Sequence, residues 1–462
     1  MPEGLSIRYS GGEWPRGNRT RVDIKNYGRI GAASIELAPL TVLVGKNNTG
    51  KSYIAELLWA VRSGFLGFTR RSGFRVGAPD WFRAYVNTAH ASEAQPLRID
   101  AKRVLTHYNK WLKENKNYLI SNLLSLEDAK IGRVQLEAEG TLWLSPQSEP
   151  PDWFREQGFE RFTVRSWGLA WENTAIMDPS QGMISMSEED HADEIFCEAL
   201  ERILLQNNAY HSSNTIYIPA ARTGLVLALK EIAASVLGSL GLSPSGDNDT
   251  RFSRPTIDFL RTLIRYTERR EGKTTDIADF LERNIYSGKL IIEGTGTPTF
   301  IYNPSETRQR LPMHAASSMI TELTPILSVL RSAHFGGGFI IEEPEAHLHL
   351  SAQRVMARAI AKLANAGIPV VLTTHSDTFV QQINLLMQIY GHEDRNEITA
   401  KLGYEDDEIL SPSDVVGYEF IPSARGTTVS EAKKSSDGLI ISSLNETLVE
   451  LAEDVMSIGE SS

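Results

Sequence analysis

The sequence lacks the features that would place the chain in an oxidising compartment or a membrane. Cys197 is its single cysteine among 462 residues, which excludes an intrachain disulfide and any zinc site built from several cysteines. There is no run of about 18 apolar residues, so we expect no transmembrane helix. The segment MPEGLSIRYSGGEW at the start has neither an apolar core nor a cleavage pattern, and we expect no signal peptide. These absences predict a cytoplasmic location.

Internal repeats, low-complexity segments and sustained heptads are lacking as well. Without heptads, long coiled-coil arms are excluded. The composition that remains is globular, with 41% hydrophobic and 23% charged residues. At about 100–200 residues per domain, the length allows two or three domains, or one large domain with insertions.

The negative charge is confined to one end of the chain. The net charge is −11, and residues 391–462 alone carry 16 acids against 5 bases, so the rest is neutral. A neutral body does not favour nonspecific coating of nucleic acid, which depends on phosphate neutralisation, although a local basic groove stays open. The acidic region is either a solvated surface or a docking face for a basic partner.

A buried strand, a glycine-rich loop and an amphipathic helix follow one another near the start of the chain. Residues 40–44 form a continuous apolar run, typical of a strand buried on both faces. Ile54, Leu57, Leu58 and Val61 fall on one helical face. The loop between them, GKNNTGKS, matches the phosphate-binding pattern G-x-x-x-x-G-K-[ST], in which backbone amides and the helix N-terminus hold phosphate. The predicted contacts to ATP are Gly45, Asn47, Asn48, Thr49, Gly50, Lys51 and Ser52.

Within this loop, Lys51 is expected to reach the β- and γ-phosphates, and the Ser52 hydroxyl to ligate Mg²⁺.

A second strand pattern, FIIEEPE over residues 339–345, ends in carboxylates. Because buried unpaired charges are costly, we expect these groups at the carboxyl edge of the sheet, beside a magnesium nucleotide. Glu342 would hold the metal through its waters, and Glu343 would polarise or deprotonate the attacking water. His375, at the end of the next strand, is the predicted γ-phosphate sensor.

The order of these motifs resembles the ABC-type ATPases of the RecF and SMC branch. More narrowly, it is similar to the predicted ATPases of the overcoming-lysogenisation-defect (OLD) type. The resemblance covers about 22–65, 215–225 and 289–380. It implies a homodimer or higher homo-oligomer in which two heads enclose two nucleotides, with a signature serine reaching the nucleotide of the other head. The counterpart here is residues 316–319, with Ser317 as the γ-phosphate contact in trans and Ser318 beside it.

Three positions depart from the pattern of that family. Glu342 stands where most relatives have aspartate, and Met319 replaces the glycine that usually follows the signature serines. The lid glutamine has no counterpart, and the strand that should lead to it ends in IPAART, so Arg222 is the candidate substitute.

The predicted fold class is α/β: a P-loop NTPase head of the ABC type with an antiparallel β subdomain and mostly helical insertions. We assign residues 20–65 and 211–390 to the head, with a helical lobe at about 225–285. We assign 66–210 to an insertion used for sensing or assembly, and 391–462 to an acidic C-terminal region.

Other candidate sites favour structural interpretations. His347 and His349 form an H-x-H pair, but no third metal ligand lies close in sequence. Cys197 stands among apolar residues and is expected in the core rather than as a nucleophile. The arginines at 261, 265 and 269 are spaced along one predicted helical stripe within 255–284, either as a solvated face or as a contact for nucleic acid or an acidic partner.

Three functions remain open. The first is an ATPase switch that gates a separate effector, a nuclease or toxin, as in two-gene phage-defence systems of the family. Only 87 residues follow His375, and the acidic run at 405–408 does not follow a convincing buried strand, so we expect no nuclease within this chain. The second is a RecF-like ATPase of DNA repair or maintenance. The third is a nucleotide-dependent scaffold that barely hydrolyses ATP. We expect no membrane partner.

Overall fold

The computed structural model describes most of the chain. The described residues are 4–9, 19–67, 75–88, 97–147, 188–205, 215–233, 252–269, 271–294, 297–307, 309–333, 337–444, 453–454 and 456. They divide into two compact units. Unit 1 comprises residues Met1–Arg21, Gly64–Leu119 and Val134–Asn208, and unit 2 comprises Val22–Ser63, Ile120–Arg133 and Ala209–Ser462.

The strands in chain order are β1 (Gly4–Tyr9), β2 (Arg21–Tyr27), β3 (Ile30–Glu36), β4 (Leu40–Gly45), β5 (Leu97–Asp100), β6 (Ile131–Glu137), β7 (Thr141–Gln147), β8 (Ile216–Ile218), β9 (Gly288–Glu293), β10 (Thr299–Pro304), β11 (Leu311–Pro312), β12 (Phe339–Glu342), β13 (Val370–Thr374), β14 (Val415–Ser423), β15 (Gly426–Glu431), β16 (Lys433–Ser435) and β17 (Gly438–Ile440). The α-helices are α1 (Lys51–Arg62), α2 (Asp80–Thr88), α3 (Ala101–Leu124), α4 (Glu188–Leu205), α5 (Arg222–Leu227), α6 (Arg254–Ile264), α7 (Lys273–Leu281), α8 (Ser318–Leu330), α9 (Leu350–Asn365), α10 (Asp377–Gly391) and α11 (Arg395–Leu402).

Unit 1 contains a small antiparallel sheet in the order β1-β7-β5, together with α2, α4 and most of α3. Its core is aromatic. Phe82 of α2 lies edge-to-face against Phe196 of α4, with 5.3 Å between the ring centroids, and both side chains are fully buried. Cys197 is buried in the same region, as the core interpretation predicted.

Unit 2 is built on a nine-stranded sheet in the order β6-β2-β3-β15-β14-β4-β13-β12-β8. The five strands from β14 to β8 run parallel, and β4, β12 and β13 are buried throughout. Burial on both faces accounts for their continuous apolar sequences. Helix α1 presents its apolar stripe to β12 and β13. The sequence pattern of strand, helix and strand over 339–374 predicts a βαβ unit, and the chain from β12 through α9 to β13 forms it. The mixed α/β fold class is therefore confirmed.

Strand order places the predicted site residues along one edge. Strand β13 lies between β4 and β12, so the loop after β4, the carboxylates after β12 and the histidine after β13 follow three neighbouring parallel strands. The carboxyl ends of parallel strands meet at the same edge, where open α/β sheets bind ligands.

Several expectations differ from the structure. Alternating apolar patterns near 134, 142 and 162–164 predict antiparallel strands. The first two form, but β6 joins the large sheet and β7 the small one, so they are not partners. The segment around 162–164 lies outside the described residues. The expected helix over 255–284 is interrupted: α6 ends at Ile264, and α7 begins after Gly272, whose φ of 140° ends the irregular stretch. Because Arg269 lies beyond α6, the three-arginine stripe does not form on one helix.

The strand patterns at 289–293 and 299–302, separated by a glycine-rich turn, predict a hairpin, and β9 and β10 form it as an antiparallel pair. Residues 391–462, expected as a separate acidic region, contribute β14 directly beside β4. Val415, Val416, Tyr418 and Phe420 are buried there, and this short apolar pattern is obscured in the sequence by the surrounding acids. Within the described part of the chain, no helix combines the length and apolarity needed to cross a membrane.

Candidate nucleotide site

The glycine-rich loop leaves β4 at Gly45 and enters α1 at Lys51. Asn48 and Gly50 have positive φ values of 60° and 92°, which an asparagine tolerates and a glycine adopts without penalty. Thr49 is buried and donates its hydroxyl to the carbonyl of Lys46 at 2.8 Å, which closes the loop from within. Asn47 and Asn48 are exposed, so the loop presents its outer rim to solvent.

Lys51 lies inside this loop and is only 6% exposed. Its Nζ donates to the carbonyls of Gly45 at 2.7 Å and Lys46 at 2.9 Å. Burial lowers the pKa of the Lys51 ammonium, and the nearby carboxylates Glu343, Glu345 and Glu342 oppose that shift. The ammonium thus stands between the loop and three carboxylates, where it can exchange carbonyl partners for phosphate oxygens.

Glu342 is buried at the end of β12, with one carboxylate oxygen bound and the other not. Its Oε2 accepts the amide N–H of Ala220 at 3.1 Å, and the buried hydroxyl of Tyr217 interacts with the carboxylate, while Oε1 has no partner at hydrogen-bond geometry among the described residues. A buried carboxylate oxygen without a donor is costly unless a cation binds it. The exposed Ser52, in the first turn of α1, supplies a neutral oxygen. This donor set fits Mg²⁺, which prefers oxygen ligands and retains several waters.

Glu343 follows directly and has a strained backbone. Its φ is 44°, in the left-handed region that costs a non-glycine residue about 1–2 kcal/mol. Its amide donates to the carbonyl of Thr373 at 3.0 Å, which holds the turn against β13. Nonglycine residues in such conformations persist where the surroundings fix them, often at functional sites. The turn directs a half-buried carboxylate toward His375.

The imidazole of His375 faces two carboxylates. Nδ1 lies 3.6 Å from Oε1 of Glu343 and 3.7 Å from Oε1 of Glu345. The interaction with Glu343 raises the pKa of His375, and the same contact lowers the pKa of Glu343. The geometry therefore favours an imidazolium beside an ionised carboxylate.

Glu345 has a role that the motif alone did not reveal. Its Oε1 accepts hydrogen bonds from the hydroxyl of Thr374 at 2.6 Å and from the amide of His375 at 3.0 Å, and the side chain is 3% exposed. These bonds fix the end of β13, and so they fix the position of His375. The only sequence signal is its place as the last glutamate of EEPE.

Arg222 is the candidate substitute for the lid glutamine, but its side chain is fully buried. Its guanidinium donates to backbone carbonyls of Glu342 and Glu343. A side chain enclosed in this way has no exposed atom to offer a nucleotide, so the lid role expected for Arg222 does not fit this structure.

The signature serines stand at the start of α8. Ser317 caps the helix by accepting the amide N–H of Ile320 at 3.4 Å, and both Ser317 and Ser318 are exposed. Helix α8 packs against α5, α6 and α7. The structure therefore brings together the loop 45–52, Glu342, Glu343 and His375, and presents the serines on an open helix start.

The H-x-H pair has structural partners. His349 caps α9, where its Nδ1 accepts the amide N–H of Ser351 at 3.3 Å, and His347 occupies a left-handed turn with φ of 58°. Among the described residues, no group of three or more histidine, cysteine, aspartate or glutamate side chains is arranged to hold a metal ion.

Comparison with known proteins agrees with this geometry. A family model described as an AAA ATPase domain matches residues 20–123 and 270–380. The matched ranges include the loop 45–52, Glu342, Glu343 and His375. They support an ATPase of the AAA/ABC class. No curated protein matches the sequence.

Solved structures resemble the chain only distantly. An SMC head bound to the C-winged helix domain of ScpA has 12% identity and a TM-score of 0.36, covering 89% of this chain and 97% of that one. The SMC head domain from Thermotoga maritima has 7% identity and a TM-score of 0.31, covering 90% and 99%. An ATP-binding cassette of an ABC transporter in its ADP conformation has 10% identity and a TM-score of 0.28, covering 79% and 84%. All three TM-scores are below 0.5, and the architecture follows from the strand order of the chain itself.

Proposed function

We propose that this chain binds ATP at residues 45–52 and hydrolyses it with Glu343 as the general base. The observation that carries the proposal is the meeting of three groups at one sheet edge: the Lys51 ammonium, the Glu343 carboxylate and the His375 imidazole. A general base must be ionised and must face the reacting water, and the neighbouring imidazolium keeps Glu343 ionised.

Each group has a distinct task in this mechanism. Loop amides and the start of α1 bind the phosphates, and Lys51 leaves its carbonyl partners to contact the β- and γ-phosphates. His375 donates a hydrogen bond to the γ-phosphate. Glu343 accepts a proton from the water that attacks phosphorus in line with the leaving oxygen.

Ser52 and Glu342 are the residues that would hold Mg²⁺. When bound, the ion neutralises charge on the β- and γ-phosphates and lowers the cost of the charge that develops on the leaving oxygen. Glu342 retains an unpaired buried oxygen for this purpose.

A second copy of the chain is proposed to complete the site. Ser317 and Ser318 are exposed at a helix N-terminus, whose free amides and positive dipole end suit a γ-phosphate. We expect them to contact the nucleotide of the partner copy, as the resemblance to the OLD and RecF families implies. ATP would then join the copies, and hydrolysis would release them.

The proposed role of this cycle is a switch that gates a separate effector, a nuclease or toxin, in bacterial phage defence. Support comes from the acidic run 405–408, in which three of the four carboxylates are engaged in ion pairs. Glu408 is fully buried against Arg358, and Lys362 contacts Glu405 and Asp407 at 2.5 Å each. Carboxylates held in this way are not free to bind catalytic metals, which favours an effector on another chain.

Light scattering of Glu343→Gln with and without Mg-ATP tests this function. If Glu343 is the base, hydrolysis stops, and the mass rises from one copy to two when ATP is added. An ATP-dependent ATPase activity that survives in Glu343→Gln would contradict the assignment of the base. The scaffold hypothesis predicts instead that the wild type barely hydrolyses ATP and that Glu343→Gln leaves its behaviour almost unchanged.

A DNA-stimulated ATPase is the second candidate, and helix α3 is the observation that favours it. Lys102, Lys110 and Lys113 are exposed at spacings that bring them to one side of this helix, and the chain elsewhere is neutral or acidic. Such a stripe can contact a phosphate backbone. Replacing the three lysines with glutamate should abolish any stimulation of ATP turnover by DNA, and Arg261→Glu with Arg265→Glu tests the earlier arginine hypothesis. Absence of stimulation in the wild type would exclude this candidate.

A further inference from the structure

The buried guanidinium of Arg222 connects two parts of unit 2. Nη1 donates to the carbonyl of Glu342 at 2.6 Å, and Nη2 donates to the carbonyl of Glu343 at 2.9 Å. Nη2 also forms an ion pair with Oε1 of Glu322, a residue of helix α8, at 2.6 Å, and Nε donates to the backbone carbonyl of Glu322 at 3.4 Å. One rigid, planar group therefore contacts the backbone of both site carboxylates and the signature helix.

The helix side of this connection is equally enclosed. Glu322 is 2% exposed in its side chain, and its Oε2 also accepts the hydroxyl of Thr223. It stands about one turn beyond Ser317, and the hydroxyl of Thr321 ties that turn to the carbonyl of Ser317 at 3.0 Å. A displacement of the start of helix α8 would therefore also move Glu322.

The ion pair is a poor device for stability alone. Burying two charges costs about as much as their attraction returns, and apolar side chains of similar volume often serve as well. What the arginine fork offers is direction, because its donors are fixed in one plane. Here one of these donors binds the carbonyl of Glu343 and so stabilises its left-handed backbone conformation.

We infer that Arg222 is a positioning residue, which holds the backbone of Glu343 in its catalytic conformation and links it through Glu322 to the start of helix α8. This inference rests on the proposed function. It adds that contact of Ser317 with the nucleotide of one copy adjusts the base in the other copy, so that the two sites act together.

The test separates catalysis from binding. Arg222→Lys keeps the charge but loses the fork, and Glu322→Gln keeps the shape but loses the ion pair. Because a misplacement of about 1 Å can cost about 10²-fold in rate, we expect kcat to fall by about 10–100-fold in each variant. Affinity for ATP should stay within about twofold, since Arg222 does not contact the loop. Both variants should accumulate the ATP-bound dimer, as we expect for Glu343→Gln.

A matched control is available in the same unit. Arg358 forms a two-pronged pair with the buried Glu408, at 3.1 and 3.0 Å, away from the site. Arg358→Lys should lower the melting temperature by about as much as Arg222→Lys does, and it should leave kcat unchanged. In addition, Arg222→Met with Glu322→Leu removes both buried charges, and it should recover stability but not kcat.

Two results would overturn the inference. The first is a kcat of wild-type value in Arg222→Lys and Glu322→Gln, while Glu343→Gln is inactive. The second is a loss of kcat in the double variant Arg222→Lys with Glu322→Gln equal to the product of the single losses, since members of one linkage are not additive. A wild-type chain without ATPase activity would instead contradict the proposed function, and the linkage with it.

Discussion

The Nδ1 atom of His375 lies 3.6 Å from Oε1 of Glu343, at the ends of β13 and β12. Each group holds the other in its charged form. The interaction with Glu343 raises the pKa of His375 from its ordinary 6.5, and the same contact lowers the pKa of Glu343 from its ordinary 4.5.

This pair sets an expected pH profile for ATP hydrolysis. The ionised form of Glu343 is lost only as pH falls below 4.5, and the protonated form of His375 is lost only as pH rises above 6.5. We expect kcat to be level between two limbs that lie outside these values, and the limbs belong to the pair as a whole. His375→Asn should lower the plateau and remove the alkaline limb. An unchanged alkaline limb in that variant would show that another group titrates.

Nucleotide binding should depend on Lys51. Its Nζ is held by two carbonyls inside the loop, so Lys51→Ala removes the charged donor that we propose contacts phosphate. A hydrogen bond to a charged group is worth about 1.5–3 kcal/mol, and the Kd for ATP should rise by about 10–100-fold in calorimetric titration. The exposed Lys25 of β2 serves as control, and Lys25→Ala should bind as the wild type does. Equal affinities in the two variants would argue against phosphate binding at this loop.

Assembly should depend on Ser317. Ser317→Arg in the Glu343→Gln background should abolish the ATP-dependent rise in mass, because a bulky side chain blocks the open helix start. Since this change also removes a cap worth about 1 kcal/mol, Ser317→Asp is the sharper variant. Aspartate still caps the helix, and its charge repels the γ-phosphate. Ser436→Arg, on an exposed turn, should assemble normally, and assembly of Ser317→Asp would contradict the contact in trans.

Glu56 should make the fold less stable as pH rises. Burial raises the pKa of this α1 carboxyl to about 7, the hydroxyl of Ser253 opposes that shift, and Glu342 adds to it. The fold therefore retains a proton that the unfolded chain releases near 4.5, and the associated stability, about 3 kcal/mol, is lost as pH rises between these values. Glu56→Gln should raise the melting temperature at pH 8 and change it little at pH 4. The exposed Glu397→Gln is the control, and a difference that does not vary with pH would refute the prediction.

The acidic run should prove structural. Glu408 is fully buried, and its carboxylate contacts Arg358 at 3.0 Å and Lys362 at 3.8 Å. Glu408→Ala leaves Arg358 without its carboxylate partner, while Lys362 keeps Glu405 and Asp407, and it should cost about 3–5 kcal/mol in chemical denaturation. Asp406, two residues earlier, is exposed, and Asp406→Ala should stay within about 0.5 kcal/mol of the wild type. If purified chain cut DNA and Asp406→Ala abolished the cutting, the run would be catalytic instead.

Local sequence predicted the central elements well. The apolar run of β4, the glycines of the loop and the stripe of α1 are all within about 25 residues, so pattern and structure coincide there. The same holds for the βαβ unit from β12 to β13. In each case the signal is a strand buried on both faces next to a helix with one apolar side.

The unpredicted features depend on contacts between distant residues. The bond between Arg222 and the carbonyl of Glu343 spans 121 positions, and no local pattern marks it. Similarly, Glu345 acts on the amide of His375 through a bond across 30 positions. The arginine stripe was wrong because periodicity was extended through a stretch where the helix stops at Ile264. The net charge of residues 391–462 obscured β14 for a related reason. It averages the exposed acids together with the buried apolar residues of the strand.

The position of strand β4 in the sheet also determines when the nucleotide site can form during translation. Its two neighbours in the sheet, β13 and β14, come from the far end of the chain, and a Cβ placed on Gly45 would come within 2.6 Å of the Phe420 carbonyl. The glycine-rich loop therefore leaves the ribosome long before the strands that frame it exist. Contacts of such long sequence separation close slowly, so ATP should not bind nascent chains that stop short of β14. We therefore expect the chain to bind nucleotide only after β14 has been translated and has paired with β4.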